Sequence, residues 1–471
     1  MPILDERINH VVVLMLENRS FDCLLGKLYP KTPAFDGLAG TETNDGAAGG
    51  PPVPVWNMPG PPDGGMTIPD PDPGELFIDM NTQIFGQANP VPGAAPTMRG
   101  FVQSYAVEAA RHAGVAYDLR AVMHYFMPEQ VPVLSRLARQ FAVSDRWHAS
   151  APCQTWPNRF FVHTGTAGGL ENNEPAQVPF TIRTIFTRFD GVGMAGGWKI
   201  YFHDMPQALA LGDLWPHIGR FRLYPEFRAD AAAGTLPAYS FIEPHYFTDY
   251  ALPNDCHPPH VVTLAEGLIA DVYNALRASP LWQQTLLIIT CDEHGGCYDH
   301  VPPAAAVPPD QLAAGRPFAF DRYGVRVPAV LVSPFIRQGT VLRPPTGGPP
   351  FDHTSIIKML RRRFNLGPPL TARDGAAPDL FDALHDGNVL PGPDNMGPDQ
   401  LSPLSYSPAP SDLVAAQTAR PNGMQTALHQ MAFRVPAGLV LGGAMGSAVA
   451  TPQQLVDVVR DVRIEFTRIF G

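Results

Sequence analysis

HVVVLMLENRSFDCLLG, residues 10–26, runs through six apolar residues and then changes abruptly to a Glu, an Asn, an Arg and a Ser. A continuous rather than alternating apolar run is typical of a strand covered on both faces, as in a parallel sheet. In open parallel sheets, ligands bind beyond the carboxyl ends of the strands, where loops carry reactive groups on a rigid base. We therefore interpret this segment as a buried strand that delivers Glu17 and Asn18 to a functional edge of a sheet.

Five further apolar runs have the length and composition of strands. They are 141–145, 198–202, 238–243, 285–293 and 327–335. Helical patterns, in which apolar residues recur every three and four positions, lie between them at 131–141 and 261–280. Because strands that alternate with helices build parallel sheets covered by helices, the sequence predicts an α/β sandwich with a mostly parallel central sheet.

The apolar run 285–293 also ends in carboxylates, which we expect at the same sheet edge as the polar residues of the first strand. Carboxylate and amide oxygens are hard ligands, and they suit Ca²⁺, Mg²⁺ or Mn²⁺ more than Zn²⁺. The plainer interpretation is that each acidic pair caps a helix or binds Arg19 or Arg159. Because two strand ends carry such groups, we favour a divalent-cation site. Its predicted ligands are Glu17, Asn18, Asp292 and Glu293.

A second set of reactive groups lies in three loop-like segments. TWPNR begins with Thr155, NDCHPPH contains His257 and His260, and FDHTSI contains His353. A hydroxyl becomes an effective nucleophile only beside a base or a metal, and histidines can orient an anionic substrate or protonate a leaving group. Each residue alone would more often be structural. Together with the cation site, they indicate a one-metal or two-metal hydrolase of phosphate or sulfate esters.

Six motifs occur in the order and approximate spacing of the phosphoesterase family: ENRSFD, TWPNR, EPHYF, NDCHPPH, DEHGGCYDHVPP and DHTSI. The chain resembles this family over about residues 8–365. The family contains bacterial phospholipases C, plant non-specific phospholipases C and a type of acid phosphatase. The resemblance implies an alkaline-phosphatase-like fold, a three-layer α/β/α sandwich, with a metal held by the four strand-end ligands.

The resemblance also implies roles for single residues. Thr155 falls where the family has a Ser or Thr nucleophile before PNR, and would form a phospho-threonine intermediate that water later cleaves. His257, His260 and His353 would lie around the phosphate. The implied function is metal-dependent hydrolysis of phosphate esters, of the phospholipase C or acid phosphatase type. The alternative is a non-catalytic metal- or ligand-binding protein on the same fold.

One segment departs from the family pattern. Many members have a His in a D-P-x-H segment before the nucleophile, whereas this chain reads DPGE, with Glu75 in that place. A carboxylate near a phosphoryl group repels it unless the carboxylate is protonated, bound to a cation or turned away. Either Glu75 donates a proton to the leaving oxygen, or it helps to bind a cation, or the leaving-group role lies elsewhere.

We expect two parts of the chain. Residues 1–375 form the predicted catalytic domain, and residues 376–471 form a Pro/Gly-rich connection and a C-terminal helical extension that packs on the core. Thr451 and Pro452 have the pattern of a helix start and predict an amphipathic helix to about Ile469.

Charge and cysteine content narrow the class of partner. The 471 residues include 33 Lys and Arg against 44 Asp and Glu, a net charge of −11, which argues against binding to a nucleic-acid backbone. The five cysteines are scattered without CxxC spacing, which predicts neither a zinc site nor a disulfide framework and fits a reducing compartment. The expected partner is a phosphate-ester substrate, with phospholipid as one candidate.

The N-terminal residues MPILDERINH lack a basic region ahead of a long apolar core, and the most apolar late stretch is too short and Gly-rich to span a bilayer. We therefore expect a cytoplasmic protein without stable membrane insertion, and leave open secretion by another route. The sequence does not determine the oligomeric state.

Overall fold

The computed structural model describes residues 4–58, 66–91, 93–112, 114, 117–194, 196–248, 251–312, 316, 318–418 and 421–435. The strands of this part of the chain are β1 His10–Leu16, β2 Thr43–Asn44, β3 Val53–Pro54, β4 Ala142–Val143, β5 Trp198–Phe202, β6 Phe221–Leu223, β7 Tyr239–Ile242, β8 Thr285–Cys291, β9 Ala329–Val332 and β10 Thr340–Val341.

The α-helices of the same part are α1 Leu4–Arg7, α2 Phe21–Leu25, α3 Phe77–Phe85, α4 Phe101–Arg111, α5 Pro132–Gln140, α6 Thr155–Thr164, α7 Ile185–Gly191, α8 Tyr224–Ala233, α9 Val262–Arg277, α10 Thr354–Phe364, α11 Ala372–Ala376, α12 Leu380–His385, α13 Pro410–Thr418 and α14 Gly423–Ala432. Short 3-10 helices cover Ala47–Gly49, Ala121–Met123, Pro175–Gln177, Gln207–Ala210, Gly212–Arg220 and Trp282–Gln284.

The central sheet has eight strands in the order β10-β4-β9-β8-β1-β7-β5-β6. The strand β1 lies inside the sheet and runs parallel to both of its neighbours, β7 and β8. The strand β9 is antiparallel to both of its neighbours, so the sheet is mostly parallel. All six predicted strands are confirmed, and the predicted helices 131–141 and 261–280 correspond to α5 and α9. The sequence did not predict the short strands β6 and β10 of this sheet.

Helices cover both faces of this sheet. The ring of Trp198 in β5 packs on Phe186 of α7, with ring centroids 4.9 Å apart. The ring of Tyr201, three positions later, packs on Phe227 of α8 at 5.4 Å. Because side chains alternate between the faces of a strand, residues three positions apart point to opposite sides. The protein is therefore a three-layer α/β/α sandwich, as the family resemblance implied.

Residues beyond 376 contribute to the same hydrophobic core. Leu380 and Leu384 of α12 and Leu428 of α14 are fully buried in the cluster that contains the central strands. The division of the chain at 375 stays a prediction, and the predicted helix at 451–469 lies outside the described residues.

All five cysteines are buried and free. None of the helices in the described ranges combines the length and the apolar character that a bilayer crossing requires.

A histidine in the core next to the sheet makes stability depend on pH. His163 of α6 is buried between the rings of Phe186 and Phe241, whose centroids lie 5.2 Å and 4.6 Å away. Burial, with a smaller contribution from Arg159, lowers the pKa of His163 from 6.5 to about 3. Between these pH values the unfolded chain binds a proton at His163 that the folded chain does not, so stability falls as the pH drops through this window.

We expect His163→Leu to reduce the acid sensitivity of folding. In the wild type, protonation of His163 should lower the free energy of unfolding by about 2 kcal/mol between pH 6.5 and pH 5. The variant has no histidine at this position and should not show this contribution. Urea titrations at several pH values measure it. Val162→Ala is the control, because it also disturbs the core but removes no titratable group. If the free energy of unfolding changed equally with pH in His163→Leu and in wild type, the lowered pKa of His163 would be contradicted.

Candidate active site

The carboxyl ends of β1 and β8 meet at one edge of the sheet. The two strands pair in parallel up to Leu16 and Cys291, so the next residues, Glu17 and Asp292, leave the sheet side by side. The backbone N–H of Asn18 donates to Asp292 Oδ1 at 3.3 Å. The two polar strand ends therefore meet at this edge of the sheet.

Arg159 joins these two strand ends. Its Nη2 donates to Glu17 Oε1 at 2.6 Å, and its Nε donates to Asp292 Oδ2 at 3.0 Å. The side chains of all three residues are at most 1 % exposed. The arginine extends from α6, so one helix is fixed to the ends of the two central strands. The sequence predicted Arg159 only as a partner in the plainer interpretation of the acidic pairs.

Burial sets the electrostatics of this edge. Burial raises the pKa of Glu17. The negative charge of Asp292 raises this pKa further, and the positive charge of Arg159 lowers it. Burial also raises the pKa of Glu293, with contributions from Glu75 and Asp292. Each carboxylate has lost water and faces other carboxylates; Arg159 is the main compensating cation for Glu17, and His257 compensates Glu293. A bound cation would lower the free energy of this arrangement.

Two buried oxygen atoms at this edge are available to a hard divalent cation. Asn18 Oδ1 and Glu293 Oε1 are buried and accept no hydrogen bond within the described chain. The Nδ2 of Asn18 donates to Glu75 Oε1 at 2.6 Å, so the amide oxygen of Asn18 remains available as a ligand. The three predicted carboxylates do not form a compact group of donor atoms within 4.8 Å of one another, among the residues described. Arg159 lies between two of them.

A tight backbone turn presents these ligands. Asn18 has a φ of 29°, a conformation that Asn tolerates better than most residues. Gly295, at a φ of +59°, approaches Asn18 so closely that a Cβ there would lie 2.2 Å from the Asn18 carbonyl oxygen. Glycine in the DEHGG segment thus allows the β8 loop to pack against the β1 loop.

Thr155 lies beside this group. It is the first residue of α6, is 1 % exposed, and its Oγ1 donates to Glu17 Oε2 at 3.4 Å. Asn158 fixes the loop before the helix, since its Oδ1 accepts from the Ala151 N–H at 3.1 Å and its Nδ2 donates to the Cys153 carbonyl at 2.7 Å. The TWPNR segment therefore combines a hydroxyl, a loop clamp and the bridging arginine.

His257 and His260 lie beside carboxylates. His260 Nδ1 is 2.7 Å from Asp255 Oδ1, and the two imidazole rings are 5.8 Å apart. His257 Nε2 is 3.4 Å from Glu75 Oε1. Burial alone would lower the pKa of His257. The negative charges of Glu75 and Asp72 raise it by more, so the pKa lies well above its ordinary value. The structure thus places Glu75 among the predicted site residues.

His353 has both ring nitrogens engaged. Its Nε2 is 2.7 Å from the Asp292 carbonyl oxygen, and its Nδ1 accepts from the Trp147 indole N–H at 3.4 Å. A carbonyl only accepts, so Nε2 carries the proton. Burial lowers the pKa of His353 to about 4, which keeps the ring neutral. This geometry suits a residue that positions the main chain of Asp292 rather than one that contacts phosphate.

Asp22, Asp299 and His300 form a second acidic group, which is already neutralised by an arginine side chain. Arg326 donates to Asp22 Oδ1 at 3.0 Å and to Asp299 Oδ1 at 2.9 Å. Although burial opposes it, hydrogen bonds to Asp22 and Asp36 raise the pKa of His300 to about 9. We interpret this group as a structural ion-pair network.

Sequence reasoning missed several supporting residues. Gln207 Nε2 donates to Glu17 Oε1 at 2.8 Å, and the carboxylate of Glu243 accepts from the Gln207 N–H at 2.8 Å. Asp255 accepts the Glu17 N–H through its carbonyl at 2.7 Å and also holds His260. Asp255 and Glu243 stand in the motifs NDCHPPH and EPHYF, which was a usable signal. Gln207 had no such signal.

An α/β sandwich that gathers buried carboxylates, an amide and a hydroxyl at the carboxyl edge of its sheet has the architecture of an α/β enzyme. The chain belongs to the phosphoesterase family, whose model matches residues 8–367. This confirms the resemblance inferred from the six motifs.

Two phospholipases C of known sequence support this membership. The chain is 40% identical over 390 residues to non-specific phospholipase C1 of Arabidopsis thaliana, covering 79% of this chain and 69% of that protein. It is 28% identical over 454 residues to phospholipase C A of Mycobacterium tuberculosis (strain ATCC 25618 / H37Rv), covering 84% and 80%. A solved structure of a protein in the alkaline phosphatase superfamily from Vibrio parahaemolyticus is similar at a TM-score of 0.30 and 13% identity, over 53% of this chain and 63% of that one.

Arg159→Met should destabilise the metal-free protein by about 3–5 kcal/mol, because it leaves Glu17 and Asp292 buried without their cation. Urea unfolding in the presence of EDTA measures this loss. Added Mg²⁺ or Mn²⁺ should restore part of the stability, since a divalent cation neutralises the same carboxylates.

Arg99→Met is the matched control for this experiment. It breaks the Arg99–Asp45 pair, whose side chains are 51% and 55% exposed, and exposed pairs contribute about 1 kcal/mol or less. A loss for Arg159→Met no larger than that of the control would show that the bridge contributes little to folding.

Proposed function

We propose that this phosphoesterase is a phospholipase C-type enzyme that uses a divalent cation and a phospho-threonine intermediate at Thr155. Membership of the phosphoesterase family supports hydrolysis of phosphate esters. The phospholipase C names of its relatives support a phosphodiester substrate. The single observation that carries the proposal is the Thr155 hydroxyl, which lies 3.4 Å from Glu17 at the start of a helix.

The position of Thr155 suits attack on phosphorus. The N-terminus of α6 has positive partial charge, which stabilises an anionic phosphate next to the hydroxyl. Thr155 Oγ1 would form a bond to phosphorus while the bond from phosphorus to the alcohol oxygen breaks. Water would then cleave the phospho-threonine and regenerate the hydroxyl.

Glu17, Asn18, Asp292 and Glu293 are the proposed cation ligands. Asn18 Oδ1 and Glu293 Oε1 are buried and have no hydrogen-bond partner among the described residues, so they are the atoms that most need a cation. A bound divalent cation would neutralise phosphate charge and favour ionisation of the Thr155 hydroxyl. Hard oxygen ligands favour Mg²⁺, Ca²⁺ or Mn²⁺ over Zn²⁺.

His260 is the proposed proton donor to the leaving alcohol. Its Nδ1 is held by Asp255 at 2.7 Å, and its side chain is 17% exposed, so the ring is oriented and still reachable by substrate. A carboxylate on one nitrogen fixes the tautomer and makes the other nitrogen the site of proton transfer. His353 contributes by positioning Asp292, through the 2.7 Å contact of its Nε2 with the Asp292 carbonyl.

Turnover of p-nitrophenyl phosphate, p-nitrophenyl phosphorylcholine and phosphatidylcholine micelles, with and without EDTA, tests the function. We expect the two diesters to be preferred over the monoester and EDTA to abolish turnover. In Thr155→Val, turnover should fall by about four orders of magnitude or more, because the covalent pathway is lost while the shape of the side chain is kept.

Thr164→Val is the control for Thr155→Val. Thr164 is a buried threonine of the same helix, and its hydroxyl donates to the Phe160 carbonyl, away from the strand ends. It should keep wild-type turnover. Full activity of Thr155→Val would remove the phospho-threonine step, a preference for the monoester would indicate an acid phosphatase, and no turnover of any ester would indicate a non-catalytic binding protein.

His260→Gln should separate substrates by their leaving groups. A diacylglycerol alkoxide is a poor leaving group that needs a proton, so hydrolysis of phosphatidylcholine should fall by about 10²–10⁴-fold. A p-nitrophenolate leaves without protonation, so turnover of p-nitrophenyl phosphorylcholine should fall far less. Steady-state rates on both substrates measure the difference. Equal losses on both would assign His260 to binding instead of proton transfer.

A further inference from the structure

We propose that Asp72, Glu75 and His257 bind a second divalent cation, of the Mn²⁺ or Zn²⁺ type, beside the strand-end cation site. The inference rests on the proposed function in one respect, because it adds a second ion to a site already proposed to hold one. Two carboxylates and an imidazole form a mixed oxygen and nitrogen donor set, which suits borderline cations better than Ca²⁺ or Mg²⁺.

The donor atoms of these three residues are close enough to share one ion. One ligand atom from each residue lies within 4.8 Å of the others. Ligand atoms about 2.0–2.4 Å from a common ion are separated by no more than about twice that distance. The group therefore has the dimensions of a cation site without any movement of the backbone.

One ring nitrogen of His257 faces this group. Its Nδ1 is 2.6 Å from the Pro258 carbonyl oxygen, which can only accept, so Nδ1 carries a proton. The other nitrogen, Nε2, lies 3.4 Å from Glu75 Oε1, and a bound cation would take the place of the proton that the two carboxylates favour there. Nε2 is buried, has no hydrogen-bond partner within the described residues, and belongs to a side chain with 0% exposure.

Two further atoms support a cation here. Asp72 Oδ1 is buried and also accepts no hydrogen bond from the described part of the chain. Asn18 Nδ2 donates to Glu75 Oε1 at 2.6 Å, which holds that carboxylate in place. A single proton on His257 Nε2 would compensate Glu75 alone, because Asp72 Oδ1 lies 3.7 Å from the other nitrogen, whose proton points to Pro258. A cation would compensate all three residues.

Comparison with the group Asp22, Asp299 and His300 strengthens this reasoning. That group has the same kinds of side chains, and Arg326 supplies its positive charge through hydrogen bonds of 3.0 Å and 2.9 Å. Neither Asp72 nor Glu75 forms an ion pair with a Lys or Arg in the described ranges; their recorded partner is His257. The arginine that neutralises one acidic group thus has no counterpart paired with the carboxylates of the other, where the described chain provides only a proton on His257.

The position of the group also permits exchange of ions and contact with substrate. The side chain of Asp72 is 28% exposed, whereas Glu75 is 5% exposed, so the group is open on the Asp72 side. Because Asn18 contacts both Glu75 and Asp292, the second ion would lie next to the first. It would also remove the repulsion between Glu75 and an incoming phosphate.

Mn²⁺ binding to the full chain tests the proposal independently of activity. The protein is stripped with EDTA, Mn²⁺ is titrated, and free Mn²⁺ is followed by its electron paramagnetic resonance signal. Wild type should bind a second Mn²⁺ in addition to the first. Glu75→Gln should still bind the first ion, but its affinity for the second ion should be reduced by about tenfold or more.

Asp72→Asn is the second variant, because it alters the more exposed ligand and leaves the hydrogen bond between Asn18 and Glu75 intact. It should also lose the second ion. Asp118→Asn is the control, since Asp118 pairs with Arg120 and both side chains are exposed at 46% and 62%. It should bind Mn²⁺ as wild type does. Melting curves without metal verify that each variant folds.

Binding of a single Mn²⁺ by the wild type, or retention of both ions by Glu75→Gln and Asp72→Asn, would overturn the inference. The proposed function is judged separately, by ester turnover. A wild type that hydrolyses phosphodiesters with a single bound ion would keep the function and reject the second site. A wild type that binds both ions but hydrolyses no ester would keep the second site and reject the proposed function.

Discussion

The bridge from Arg159 to Glu17 and Asp292 is the interaction on which the site depends. Placing carboxylates at the ends of two adjacent buried strands costs free energy, because both lose water and face each other. The guanidinium offsets that cost with bonds of 2.6 Å and 3.0 Å and also reaches the Leu16 carbonyl at 3.3 Å. Since Arg159 follows Thr155 by one helical turn, the contacts that neutralise the strand ends also fix the position of the hydroxyl.

Burial and partners, rather than the motif in which a residue stands, decide what each histidine can do. His353 and His163 are buried, and burial lowers their pKa values to about 4 and about 3, so both are neutral at ordinary pH. Carboxylates raise the pKa of His300 to about 9, and the ring is part of an ion-pair network. His260 combines a carboxylate partner with partial exposure, the combination that proton transfer to a substrate requires.

The sequence predicted the parts of this protein that depend on local composition. Continuous apolar runs identified β1 and β8, and the order of polar residues after them placed Glu17 and Asp292 at one edge. It did not identify β6 and β10, which lack an apolar run like the one at 141–143 that identified the equally short β4. Nor could it show that His353 is held by Trp147 and Asp292, since these partners come from segments remote in sequence.

Glu75 illustrates how a departure from a family pattern gains meaning from structure. By sequence, a carboxylate in place of a histidine was compatible with a proton donor, a cation ligand or a residue outside the mechanism. The structure places it against Asn18 at 2.6 Å and His257 at 3.4 Å, which excludes a remote position. Glu75 and Asp72 together raise the pKa of His257, so without a metal a proton on this ring is what offsets their negative charge. The substitution therefore increases the demand of this site for cations.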